Sequence, residues 1–190
     1  MTTPSNGSAV DIIDLILADH RRIRRLAKAL SEAARHAGEP HLHWMLTDLC
    51  QRLADLLEAH FAAEEEICGP AMLGVGECAA GQLDEVIADH NDIREAVLEA
   101  CLYPVGSALW WRTAGAALAT SAIHLDREES GLLTDCQRVW SDGQRRSLGR
   151  QWVAFTSARR RAPAHGDGSA ASRYSVCSPC LPAKVSHGAP

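Results

Sequence analysis

The sequence predicts an all-α protein, an up-down-up-down antiparallel four-helix bundle with a short fifth C-terminal helix and a disordered tail. Three observations predict this fold. Apolar residues recur with a helical period in four long segments, glycine and proline separate the segments, and short connections favour antiparallel neighbours. The bundle is expected at 10–139, after a flexible N-terminus at 1–9. An accessory helix at 140–161 and a disordered tail at 162–190 follow it.

The four bundle helices are predicted from their apolar stripes and from the breaks between them. The first carries Ile13, Ile16 and Ile23 on one face, and a Gly-Glu-Pro sequence ends it. Leucines dominate the stripe of the second helix, which Gly69 and Pro70 are expected to stop. The predicted bounds are 10–37, 41–68, 79–102 and 107–139.

A fifth helix is predicted from a capping pattern and an aromatic face. Ser141 and Gln144 have the spacing of a capping box, which marks a helix start. Leu148, Trp152 and Phe155 share one side of the segment that follows. We expect this side to dock on the bundle.

The tail beyond the fifth helix is rich in Ala, Gly, Ser and Pro and has few apolar residues to bury, which predicts disorder. It contains a CxxC motif, Cys177 to Cys180, with no predicted strand before it and no helix after it. A thiol switch, an accessory metal site and a segment that recruits a partner remain alternatives for this motif.

Composition excludes several classes of function. A net charge of −5 gives no electrostatic basis for nucleic-acid binding, and no apolar run approaches the roughly 20 residues that span a bilayer. The N-terminus lacks the basic and apolar regions of a secretory leader, so we expect a cytoplasmic protein, a monomer or weak dimer. Seven cysteines in such a protein do not predict a disulfide framework.

Two short motifs each occur twice, in the same order along the chain. The sequence ADHRRIR at 18–24 is echoed by ADHNDIR at 88–94, and HxxxEE occurs at 60–65 and at 124–129. Residues four apart lie on one helix face, so each HxxxE presents an imidazole and a carboxylate side by side. The candidate metal ligands are His20, His60, Glu64, His90, His124 and Glu128.

Burying these six groups without compensation would cost several kcal/mol for each ionised group, and two metal ions would supply the compensation. Nitrogen and carboxylate ligands without thiolate suit iron, manganese or zinc, and two ions sharing six side chains keep open positions. If both glutamates bridge and an oxo or hydroxo group completes the bridge, the terminal ligands pair as His20 with His60 and His90 with His124.

The order H…HxxxE…H…HxxxE, with these spacings, resembles the hemerythrin-like, HHE cation-binding domain over about residues 10–139. The resemblance implies a four-helix bundle with a carboxylate-bridged, non-haem di-iron centre at the six candidate ligands. Iron is therefore expected ahead of manganese or zinc.

The chain departs from the oxygen-carrying members of that family at two positions. They place a second histidine four residues after the one on the third helix, where this chain has Arg94, whose guanidinium stays protonated. They also use an aspartate five residues after the last histidine. This chain offers Glu128 at four residues and Glu129 at five, and the choice of bridge between them stays open.

The form with four histidines and two glutamates is similar to short bacterial hemerythrin-like proteins associated with peroxide decomposition and nitric oxide chemistry. It is also similar to the iron- and oxygen-sensing domain of a eukaryotic ubiquitin-ligase subunit. We therefore expect a di-iron protein that reacts with small oxidants, hydrogen peroxide first. The rival is a sensor or carrier that binds oxygen, nitric oxide or iron without turnover, and a metal-independent interaction bundle is the third alternative.

Polar residues next to the candidate ligands form a second set of expectations. Arg24 and Arg94 lie one turn after a candidate histidine and are expected to be solvated. The alternative is that they pair with acids near the site, which are Glu65, Glu129, Asp19 and Asp89. Glu65 and Glu129 are turned by about 100° from the candidate glutamates and are expected beside the site or on the surface. Ser121 is expected to bond to its own helix backbone.

Overall fold

Two pairs of long antiparallel helices form the bundle. The structure is a computed structural model that describes residues 10–34, 43–74 and 77–161. In chain order its elements are α1 (Ile12–Ala34), α2 (His43–Ala63), α3 (Gly69–Leu73), α4 (Glu77–Ala100), α5 (Ala108–Arg127), α6 (Leu133–Val139) and α7 (Asp142–Arg161), with π-helical turns at Glu64–Cys68 and Glu128–Leu132.

Helix α1 packs along α2, and α4 packs along α5; contacts of α1 with α5 and of α2 with α4 join the two pairs. The predicted all-α, up-down-up-down bundle is confirmed. Every helix in the described ranges is too short or too polar to cross a membrane. The predicted flexible N-terminus at 1–9 and the tail at 162–190, with Cys177 and Cys180, lie outside the described residues.

The second and fourth helices each continue through a π-helical turn. The N–H of Gly69 donates to the carbonyl of Glu64, and that of Leu133 donates to the carbonyl of Glu128, both five residues back. The prediction that Gly69 and Pro70 stop the second helix is therefore wrong. Pro70 directly follows the π-helical turn, and the helix continues to Leu73 although this residue has no N–H to donate.

A short connection joins α4 and α5 at one of the glycine and proline breaks that the sequence predicts. Gly106 adopts φ of 82°, a left-handed conformation that a side chain disfavours. Ser107 then caps α5 by accepting a hydrogen bond from the Trp110 N–H at 3.2 Å.

The core consists of two apolar clusters at opposite ends of the bundle. One includes Ile16, Met72 and Leu133, and the other includes Ile23 and Trp110. The two repeated motifs lie between these clusters along every long helix. Water is therefore excluded from the middle layer on both sides.

Helix α7 docks on the first cluster. Its capping box is confirmed, since the Ser141 N–H donates to Gln144 Oε1 at 2.9 Å and the Gln144 N–H donates to Ser141 Oγ at 3.3 Å. Trp152 is 2% exposed, and Arg145 donates to the Asp11 carboxylate at 2.8 Å. Because Asp11 also caps α1 through the Ile13 N–H at 2.9 Å, one carboxylate joins the two helices.

A glycine sets how closely α7 approaches α1. A methyl group on Gly149 would overlap the Val10 carbonyl oxygen and would lie 3.2 Å from the Ile12 nitrogen. We expect Gly149→Ala to lower the free energy of unfolding by about 1–3 kcal/mol, the usual cost of overpacking. Urea denaturation followed by circular dichroism measures this change.

The matched control is Gly115→Ala, also in a helix, where an added methyl group meets nothing within 4 Å. Its higher helix propensity should instead raise the free energy of unfolding by about 0.5–1 kcal/mol. Equal effects of the two substitutions would contradict the close packing of α7 on α1.

Candidate metal centre

All six candidate ligands meet in the middle layer of the bundle. None of the six residues is more than 4% exposed. Their nitrogen and oxygen atoms form two groups, and within each group these atoms lie within 4.8 Å of one another. The first group is His20, His60, Glu64 and Glu128, and the second is Glu64, His90, His124 and Glu128. The two glutamates belong to both groups.

Each glutamate lies between histidines of different groups. Glu64 Oε1 is 3.3 Å from His60 Nε2, and Glu64 Oε2 is 3.2 Å from His90 Nε2. Glu128 Oε2 is 3.3 Å from His20 Nε2 and 3.5 Å from His124 Nε2. Both carboxylates therefore occupy positions from which they could bridge two ions.

The unused bonding capacity of these atoms fits a metal site. Glu64 Oε2, His90 Nε2, His124 Nε2 and Glu128 Oε2 are buried and make no hydrogen bond to any described residue. Buried polar atoms are normally satisfied, so four unsatisfied atoms facing one another require another partner. Imidazole nitrogen and carboxylate oxygen are a donor set for iron, manganese or zinc. That these six residues are the metal ligands remains a prediction.

The outer nitrogens of two histidines are held by carboxylates from other helices. His20 Nδ1 lies 2.8 Å from Glu129 Oε1, and His90 Nδ1 lies 2.9 Å from Glu65 Oε1. Glu65 and Glu129 thus lie beside the site, one of the two places that we expected. Glu129 faces the outer nitrogen of His20, whereas Glu128 lies between His20 and His124.

An arginine pairs with each of these two outer carboxylates. Arg24 donates to Glu129 at 2.5 Å, and Arg94 donates to Glu65 at 2.9 Å. Arg94 also donates to Glu58, a buried carboxylate, at 2.9 Å. The expectation of solvated arginines is wrong, because both guanidinium groups pair with the carboxylates that hold the histidines.

Sequence reasoning missed the roles of Phe61 and Glu58. The Phe61 ring stacks on His90 at 4.1 Å between centroids, and its edge contact with His124 is at 5.6 Å. Each residue lies within two positions of His60, but only the packing of α2 against α4 shows what it contacts. Ser121 bonds to the Ala117 carbonyl at 2.8 Å, as predicted.

Burial and mutual charge shift the pKa values of the central groups. Burial and the neighbouring Glu128 carboxylate raise the pKa of Glu64 to about 7. Burial disfavours the charged form of His90, but the Glu64 and Glu65 carboxylates outweigh it and raise its pKa to about 9. Burial and the surrounding imidazoles lower the pKa of His60 well below its ordinary value.

A small cavity of about 20 Å³ lies against the two central glutamates. Apart from acidic side chains its lining is apolar or thiol, including Cys68, Met72 and Cys136. Burial raises the pKa of the Cys136 thiol to about 12 and that of Cys68 well above its ordinary value, so both stay protonated. This volume holds about one water-sized molecule.

The raised pKa values predict how the metal-free protein responds to pH. His90 contributes its full stabilisation below pH 6.5 and loses it as the pH rises through about 9. Glu64 likewise loses its stabilisation as the pH rises through about 7. His60 and His124, with lowered pKa values, change the free energy of unfolding only below about pH 6.5. We therefore expect stability to fall between pH 6.5 and 9.

Urea denaturation at a series of pH values, with a chelator present, measures this trend. His90→Gln removes the group with the highest shifted imidazole pKa and should flatten the upper part of the profile. A wild-type profile that rises over the same range would contradict the assignment.

Removing Arg94 should destabilise the protein, because Glu58 and Glu65 would lose their shared cation. We expect Arg94→Ala to lower the free energy of unfolding by about 2–3 kcal/mol. The control is Arg52→Ala, whose exposed pair with Asp48 at 3.4 Å should cost less than about 0.5 kcal/mol. Urea denaturation of the metal-free proteins compares them, and equal losses would refute a special role for Arg94.

Comparison with known proteins agrees with this geometry. A search of curated proteins and a search of solved structures each found no match. The family model for the hemerythrin HHE cation binding domain matches residues 11–136, which include all six candidate ligands. The chain therefore belongs to the hemerythrin HHE cation-binding family.

Proposed function

We propose that this chain holds a non-haem di-iron centre that reacts with small oxidants, and that its reaction is the decomposition of hydrogen peroxide. In this proposal Glu64 and Glu128 bridge the ions, His20 and His60 ligate one, and His90 and His124 ligate the other.

The observation that carries the proposal is that two four-residue groups share both glutamates. A single ion would leave two imidazoles and their lone pairs without a partner in a dry core, which is costly. Two ions use all six side chains. Because six side chains fall short of two complete octahedral spheres, each ion keeps a position for an exogenous molecule.

Iron is supported by the donor set and by the family to which the chain belongs. The two groups contain only imidazole and carboxylate, and no thiolate, the ligand that closed zinc sites commonly use. Imidazole and carboxylate are a donor set that suits iron.

Peroxide decomposition needs no other reactant. One molecule of hydrogen peroxide loses two electrons and two protons and leaves as oxygen, while a second gains them and leaves as two waters. Two adjacent iron ions would supply Lewis acidity toward the peroxide oxygens and storage for the two electrons. This stoichiometry requires no separate electron donor.

The chain's own residues orient the ligands and exclude water. As neutral metal ligands, His20 and His90 would donate their Nδ1 protons to Glu129 and Glu65, which would direct the Nε2 lone pairs toward the centre. Phe61 covers the face of His90, and the apolar clusters cover the layer on both sides. Substrate access is therefore confined to molecules small enough for the cavity at Glu64 and Glu128.

A second candidate function is the binding of nitric oxide or oxygen, either as a sensor or carrier or with nitric oxide chemistry. The lining of the cavity favours it, because apart from three glutamates and the indole of Trp140 the lining is aliphatic, thioether or thiol. An uncharged diatomic gas would lose little hydration on entering such a cavity.

Metal analysis, an absorption spectrum and an oxygen electrode test both proposals on protein loaded with iron. We expect about two iron ions per chain, a near-ultraviolet oxo-to-iron band and oxygen evolution from peroxide. Glu64→Ala and His124→Ala should each reduce oxygen evolution by at least about 100-fold, because they remove a proposed ligand.

Glu66→Ala is the matched control, since this neighbouring carboxylate on the same π-helical turn is exposed and should leave activity unchanged. An intact di-iron spectrum without oxygen evolution would exclude the enzyme and favour gas binding. Iron content below about one ion per chain would end the di-iron proposal.

A further inference from the structure

The pseudo-twofold site is asymmetric at its outer hydrogen bonds. His20, His90 and His124 each have a carboxylate at Nδ1, the last being Asp89 Oδ2 at 3.4 Å. His60 Nδ1 is buried and has no hydrogen-bond partner in the part of the chain that the structure describes. Both histidines of the His90 and His124 pair therefore have a carboxylate at Nδ1, whereas in the His20 and His60 pair only His20 has one.

By analogy with Asp89 beside His124, the repeat would place an aspartate beside His60 Nδ1. Sequence differences between the two motifs explain why no aspartate contacts this nitrogen. Asp19 occupies the position in the first motif that Asp89 occupies in the second. Asp19 instead accepts a hydrogen bond from Arg22 at 2.9 Å, three residues along the same helix. The equivalent of Arg22 in the second motif is Asp92, which cannot pair with Asp89.

A second difference between the motifs holds Asp89 in place. Arg127, three residues after His124, donates to Asp89 at 2.9 Å across the α4 and α5 interface. The residue three after His60 is Ala63, which is fully buried and has no charge to offer Asp19.

Helix α7 adds a third difference at the same histidine. The Trp152 ring contacts His60 edge to face, with 5.8 Å between centroids. This accessory helix lies outside the repeat, and the second half of the site is contacted instead by Phe61, which stacks on His90 with 4.1 Å between centroids. An indole ring beside His60 provides apolar contact there and no negative charge.

We infer that the two metal positions are unequal: the position formed by His90 and His124 binds its ion more tightly and fills first, and Asp89 sets the difference. This inference rests on the proposed two-ion site. A carboxylate at the outer nitrogen fixes the imidazole and makes it a stronger ligand, and losing such a partner lowers metal affinity by about 10- to 100-fold. Asp89 is thus a positioning residue, acting through His124.

Anaerobic titration of the metal-free full-length protein with Fe(II), followed by calorimetry with a competing chelator, measures the two binding steps. We expect two affinities that differ by at least about 10-fold. Asp89→Asn should weaken the first step by about 10-fold or more, whereas the matched variant Asp19→Asn should leave both steps within about 3-fold of wild type. Circular dichroism and urea denaturation verify that each variant is folded.

A second pair of variants identifies the position that fills first. His60→Ala should keep the tight step and lose the weak one, and His124→Ala should lose the tight step. Equal weakening by Asp19→Asn and Asp89→Asn, or the reverse result for the two histidines, would overturn the inference. Two ions bound with one common affinity would overturn it while leaving the two-ion site intact. No Fe(II) binding by the wild type would overturn the site as well.

Discussion

Six ionisable side chains buried in one layer set the constraint on which the rest of the structure depends. Their charges cannot be screened by water, because an apolar cluster closes the bundle on each side of the layer. Their charges are therefore balanced by side chains at the edge of the layer. Glu129 and Glu65 contact the outer nitrogens of His20 and His90. Arg24 and Arg94 in turn pair with those two carboxylates. Each of these contacts joins two different helices, so the same interactions that balance charge also fix the spacing of the bundle.

The two π-helical turns explain how neighbouring glutamates reach different parts of the site. In an α-helix consecutive side chains diverge by about 100°, which would carry Glu65 away from the layer that Glu64 enters. A turn closed by a bond to the fifth residue back is wider, so consecutive side chains diverge less. Glu64 and Glu128 begin these turns, and the residue after each one contacts a histidine on another helix. The doubled EE of the repeat thus supplies both an inner and an outer carboxylate.

Much of the bundle could be predicted from sequence because it depends on local periodicity and capping, as with the capping box at Ser141 and the turn at Gly106. The convergence of the six candidate ligands also followed from their helix faces. The continuation of the second helix through Gly69 could not, since a π-helical turn depends on tertiary contacts that outweigh local propensity. The pair of Arg94 with Glu65 was among the alternatives, but the contacts of Arg94 with Glu58 and of Asp89 with His124 were not predicted, because they depend on how neighbouring helices face one another.

The contacts of Arg94 explain why this position cannot simply be exchanged for the histidine of the oxygen-carrying proteins. The resemblance to the carriers would place a fifth histidine here, but this guanidinium neutralises Glu58 and Glu65 and lies 5.5 Å from the Phe61 ring centroid. Histidine is shorter and largely neutral near pH 7, so it would remove the cation that Glu58 and Glu65 share and leave Glu58 with Arg159 alone, at 3.7 Å. Glu65 also holds His90 in place. An exchange at this position would therefore loosen His90, a candidate ligand, while adding another imidazole, unless Glu58 and Glu65 changed with it.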